Sequence, residues 1–156
     1  MEFKTIFGEI ISADCLGCSD RNVPALKKLQ IAEMKNWRVE QDIELAYPAM
    51  IILVPKRHVS NYADLSSDEL QELNELIVKS KNNIKKLFQV DRFVYMFWER
   101  PNGHFHFLIM PVFDFMNIKN RAGILSEITE RNSDFTGDKE HMKLVAETID
   151  KLRNLF

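Results

Sequence analysis

The feature that most constrains this fold is one long amphipathic helix. Ser66-Ser67-Asp68-Glu69 forms a capping box, with Ser66 as N-cap and Glu69 at the third helical position. Leu70, Leu73, Leu76, Ile77, Ile84, Leu87 and Phe88 then recur at helical spacing. The outer face carries Lys79, Lys81, Lys85 and Lys86, a solvated face whose basic end suits a helix C-terminus. The longest apolar run elsewhere, Ala49 to Val54, is only strand-sized and stops at Pro55.

The other elements are short. Asn22-Val23-Pro24 opens a short helix. Leu29 and Ile31, then Trp37 and Val39, alternate with polar neighbours around Lys35-Asn36, which predicts a β-hairpin. Phe93 to Trp98 and His104 to Met110 predict a second hairpin across Glu99-Arg100-Pro101-Asn102-Gly103. A terminal helix is expected from about Lys139 to Leu155, with Val145, Ile149, Leu152 and Phe156 on one stripe. Residues 1–22 have no clear assignment, and residues 112–138 read as less regular. The order of elements predicts an α+β fold with a mainly antiparallel sheet, one long central helix and a C-terminal helix.

With 156 residues, 46% of them hydrophobic, the chain is sized for a single domain over 1–156 with a real core. No apolar run approaches a membrane span, and no secretory signal is visible, so a cytoplasmic protein without membrane contact is expected. A net charge of −2 counts against nucleic-acid binding.

Two clusters carry chemistry. In His104-Phe105-His106-Phe107-Leu108-Ile109, strand alternation points His104, His106 and Leu108 one way and the apolar residues the other. The plain alternative is two polar side chains on a wet strand face. Cys15-Leu16-Gly17-Cys18 can bite one metal ion, because Gly17 permits the tight turn that makes two thiolates converge. A redox pair or two small hydrophobes compete with that reading, although no strand–motif–helix context supports redox chemistry. His141 reads as a surface residue of the terminal helix.

These segments together resemble the histidine triad (HIT) family of nucleotide hydrolases and transferases. The family signature is His-φ-His-φ-His-φ-φ, where φ is apolar. His104-Phe105-His106-Phe107-Leu108-Ile109-Met110-Pro111 matches it, with Leu108 in place of the third histidine and Pro111 setting the register. Leu53-Val54-Pro55-Lys56-Arg57-His58 resembles the family's strand ending in Pro-Lys-x-His. Trp37-Arg38-Val39-Glu40-Gln41-Asp42 sits where the family has a strand followed by an aspartate. The Cys15–Cys18 pair sits where bacterial members often carry C-x-x-C. The resemblance covers about residues 14–111, and 112–156 is a C-terminal extension expected to pack on that HIT-like domain.

The resemblance implies a structural zinc site of Cys15, Cys18, His58 and His104. It also implies His106 as a nucleophile toward the α-phosphate of dinucleoside polyphosphates or nucleoside phosphoramidates, through a nucleotidyl-histidine. Asp42 corresponds to the ribose-binding aspartate. Arg100 and Asn102 of the short loop stand where phosphate donors are expected, Gly103 allows close phosphate approach, and Trp37 is expected in the core. A homodimer through the long helix and an edge strand is implied as well. Leu108 cannot donate a proton, which predicts slow or leaving-group-selective turnover, or a nucleotide-binding protein whose catalysis has weakened. A register with His104 as nucleophile ranks second, because it misplaces Pro111. A zinc-stabilised interaction module without a nucleotide site is the third reading.

Overall fold

A computed structural model of the protein describes residues 1–116 and 123–156. The chain opens with a small hairpin, β1 (Glu2–Lys4) and β2 (Ile10–Ser12), whose connection includes Gly8 at φ +87°. A 3-10 turn over Leu16–Cys18 and the short helix α1 (Pro24–Leu29) lead to β3 (Gln30–Glu33), β4 (Trp37–Gln41) and β5 (Ile51–Pro55). The long helix α2 (Ser67–Phe88) follows, then β6 (Phe93–Phe97) and β7 (Phe107–Pro111). Two helices close the chain, α3 (Gly123–Gly137) and α4 (Lys139–Arg153).

The capping box forms as read. Glu69 N–H donates to Ser66 Oγ, and Ser66 N–H donates to the Glu69 carboxylate at 2.7 Å. The helix ends where Gln89 turns left-handed at φ 54°. Leu73, Leu76 and Ile84 form its buried stripe.

The five-stranded antiparallel sheet has the order β3-β4-β5-β7-β6. Both predicted hairpins are present. The crossover through α2 and the folding back of β6 bring β7 beside β5, with Ile51↔Ile109, Ile52↔Leu108 and Leu53↔Phe107 in register. The strand expected from His104 begins only at Phe107. Upstream, the backbone leaves the ladder: Phe105 N–H donates to Val59 O at 2.6 Å, and the His104 ring turns to Pro55 O.

Every residue of β5 is buried, because both faces of the sheet are covered. On one face Ile51 and Leu53 join Trp37, Val39, Phe105 and Ile109 in a core shared with α2 and with Val145, Ile149 and Leu152 of α4. On the other face Ile52, Val54, Leu108 and Met110 join Tyr47, Phe113, Met116 and Ile128 of α3. The segment read as less regular contains the 15-residue helix α3, and part of that segment (117–122) lies outside the described residues. His141 is half-buried rather than on the surface, with its ring stacked on Phe135 and its Nε2 2.6 Å from Ala46 O. Among the described residues, no helix is long and apolar enough to cross a membrane.

Candidate functional site

Cys15, Cys18, His58 and His104 converge from three separate segments, with their ligand atoms all within 4.8 Å of one another. The 3-10 turn brings the two cysteines together. The segment after β5 supplies His58, and the approach to β7 supplies His104. Cys15 Sγ lies 3.5 Å from His58 Nδ1 and 3.4 Å from His104 Nδ1; Cys18 Sγ lies 3.2 and 3.4 Å from the same atoms. These four residues form a group able to hold a metal ion. The His104 ring is oriented from behind by the Pro55 carbonyl, 2.8 Å from Nε2. Burial holds its pKa down to about 4, so Nδ1 offers a neutral imidazole lone pair. Desolvation and the neighbouring Cys15 raise the Cys18 pKa, while Arg38 and Arg21 oppose the rise. A Cβ on Gly17 would lie 2.3 Å from the His104 ring, so only glycine fits that turn.

The turn is also held by a buried charge network. Arg21 donates to Leu16 O at 2.8 Å and to Ser19 O at 3.0 Å, and Arg38 donates to Gly17 O. Glu40 ties the two guanidiniums together, 2.6 Å from Arg21 Nε and 3.1 Å from Arg38 Nε. Sequence reading missed these three residues. The available signal was modest: Arg38 and Glu40 share the face of β4 opposite Trp37 and Val39.

His106 follows one residue after the buried Phe105. Its Nδ1 lies 3.4 Å from the His104 carbonyl, and its ring faces Trp98 at 6.5 Å between centroids. Asp42 stands just past β4. Its Oδ1 accepts from Glu44 N–H at 2.9 Å and Leu45 N–H at 2.8 Å. Burial raises the Asp42 pKa, opposed by those two hydrogen bonds and by the charge of His106.

Arg100, Asn102 and Gly103 form a tight turn, with Gly103 N–H donating to Arg100 O at 2.9 Å and Asn102 at φ 59°. Ser60 Oγ donates to Gly103 O at 2.8 Å. Asn102 lines an open cavity of about 590 Å³ beside His58 and Arg57. Among the described residues, no hydrogen bond joins this turn to His106. Trp37 is fully buried and donates to Glu69 O at 2.9 Å, in the core as expected. Leu108 is 2% exposed, with Ile52 and Met96 opposite it on the flanking strands.

A family model described as the HIT domain matches residues 24–152. That match runs through α4, further than the motifs alone reach. No curated protein matches the chain at a significant level. Among solved structures, a hypothetical histidine triad nucleotide-binding protein from Sulfolobus tokodaii is similar at TM-score 0.59 and 21% identity, over 90% of this chain and 93% of that one. A zinc-bound histidine triad family protein from Mycobacterium smegmatis has TM-score 0.59 and 14% identity, over 90% and 96%. A diadenosine triphosphate hydrolase from Plasmodium falciparum, in complex with cyclomarin A, has TM-score 0.53 and 18% identity, over 72% and 79%. At these identities the likeness is one of fold.

Proposed function

The chain belongs to the HIT-domain family, and from that premise we propose that it is a nucleotide hydrolase or transferase with His106 as nucleophile. The observation that carries this reading is the setting of the His106 ring. The His104 carbonyl at Nδ1 favours the tautomer with its proton there, leaving the Nε2 lone pair for attack. His104 is a poor competitor for the role, since both its ring nitrogens have partners in Pro55 and the two cysteines.

Nε2 of His106 attacks the α-phosphorus of a dinucleoside polyphosphate or nucleoside phosphoramidate. The N–P bond forms as the bond to the leaving nucleotide or amine breaks, the amine nitrogen taking a proton from solvent water as it departs. Water then attacks phosphorus, the N–P bond breaks, and a nucleoside monophosphate departs with His106 restored. Asp42 accepts hydrogen bonds from the ribose hydroxyls, a role supported by its place just past β4, where the family's aspartate follows a strand. Arg100 and Asn102 donate to phosphate oxygens as charge develops, and Gly103, whose N–H closes the turn on Arg100 O, lets the phosphate come close. The substrate class draws support from the Plasmodium neighbour described as a diadenosine triphosphate hydrolase.

Zinc is the metal that the cysteine–histidine group fits. Usual zinc bond lengths to sulfur and nitrogen give a tetrahedral S···N edge of about 3.6 Å, against 3.2–3.5 Å between these atoms. Two thiolates and two imidazoles leave no open coordination position, so the ion supplies a structural tie between the N-terminal turn and the histidine segment. A homodimer is supported by the edge strand β6, which exposes Tyr95 (40%) and Phe97 (46%).

One observation favours a second reading, a nucleotide-binding protein with weakened catalysis. Leu108, at the position of the third histidine, is packed in apolar core and offers no proton to a leaving group. Turnover of a panel of diadenosine polyphosphates and adenosine phosphoramidates, in wild type and His106→Ala, separates the two. The hydrolase reading expects turnover that the variant loses. Tight nucleotide binding without turnover in the wild type establishes the second reading.

A further inference from the structure

The connection from β4 to β5 carries Asp42, and its conformation is imposed from outside. Ala49 sits fully buried in this connection at φ 58°, a left-handed conformation that alanine adopts only under constraint. Asp42 Oδ1 is tied to the N–H groups of Glu44 and Leu45, so the orientation of the carboxylate follows the backbone of 44–46. That backbone is gripped by the C-terminal helices. Asn132 of α3 uses both ends of its amide: Oδ1 accepts from Ala46 N–H at 2.8 Å, and Nδ2 donates to Glu44 O at 2.7 Å. His141 of α4 places Nε2 2.6 Å from Ala46 O, with its ring lying flat on Phe135 at 4.0 Å between centroids. The Tyr47 hydroxyl donates to Glu127 O at 3.1 Å, and its ring meets Phe135 edge-on.

We infer that Asn132 and His141 are positioning residues that hold the Asp42 carboxylate in register for the sugar hydroxyls of a bound nucleotide. The inference rests on the reading of Asp42 as the sugar-binding residue. A loop fixed in its binding geometry before the ligand arrives loses little further freedom on binding, and the benefit falls on the sugar contact alone. The α3–α4 hairpin thereby gains a role in ligand selection beyond covering the sheet.

The test compares affinities for the 5′-monophosphates of adenosine, guanosine, cytidine and uridine with those for their 2′,3′-dideoxy counterparts, by calorimetry on the full chain. The wild type should prefer the ribonucleotide, and Asp42→Asn should abolish that preference. Asn132→Ala and His141→Ala should each lower the preference about tenfold, the scale of one hydrogen bond to a charged group, with dideoxynucleotide affinity unchanged. His141→Gln, which keeps an N–H donor, should restore most of it. Dideoxynucleotide binding counts the folded, competent fraction, so a partly unfolded variant does not distort the ratio. A wild-type preference retained in both alanine variants, or affinities for both ligand types falling together, overturns the positioning role. A preference that survives Asp42→Asn, or no binding of any nucleotide, overturns the sugar reading itself.

Discussion

Replacing Leu108 by histidine restores the full triad pattern on paper, and the structure argues that it should damage the protein. Leu108 is 2% exposed and faces Ile52 on β5 and Met96 on β6. Removing a fully buried leucine forfeits roughly 2 kcal/mol of hydrophobic transfer. Leaving an imidazole without a hydrogen-bond partner in that apolar cluster adds roughly 1–3 kcal/mol. The sum is a destabilisation of about 3–5 kcal/mol, worth about 10 °C in Tm for a chain of this length. Urea denaturation followed by circular dichroism should show a lower midpoint at unchanged slope. Turnover of substrates with poor leaving groups should not improve. A Leu108→His variant as stable as wild type and faster on poor leaving groups would refute this reasoning, because position 108 would then face the reacting phosphate.

Other substitutions test the neighbouring parts. Gly17→Ala drives a methyl group into the His104 ring, so if the group holds a metal, chelator competition should record weaker metal binding than in wild type. Glu40→Ala leaves Arg21 and Arg38 buried beside each other without a counter-charge, at a cost of about 3–5 kcal/mol in thermal or urea unfolding. Glu69, paired with Arg57, has its pKa lowered from 4.5 to about 2. Its contribution is full above pH 4.5 and is lost as pH falls toward 2, so Glu69→Gln should flatten the acid limb of the stability profile over that window. The Asp42 pKa is raised by burial, so ribonucleotide affinity should begin to fall at a higher pH than an ordinary aspartate would give, and Asp42→Asn should remove that dependence.

Local signals were legible where local physics decides. The capping box and apolar period locate α2, the apolar run before Pro55 locates β5, and alternation locates most of β7. That Cys15, Cys18, His58 and His104 would converge was readable because family motifs group them, not because spacing alone brings Cys15 near His104. Long-range choices left no local trace. Nothing near His104 announces that Pro55 and the cysteine turn draw it off the ladder. The placement of β7 beside β5 depends on where α2 delivers the chain. Helix α3 went unread because, after Ile124, Leu125 and Ile128, a polar run that includes Asn132 and Ser133 separates its first turns from the next apolar residue, Phe135. His141 looked like a surface residue because its acceptor, the Ala46 carbonyl, lies in a distant loop.

The proposed chemistry requires His106 to form a bond to phosphorus. Its most direct test is to quench the protein during reaction with an adenosine phosphoramidate and map any nucleotidyl adduct by peptide mass. An adduct is expected on the peptide containing His106 and none in His106→Ala. Turnover with the adduct on another residue, or turnover undiminished in His106→Ala, would contradict it.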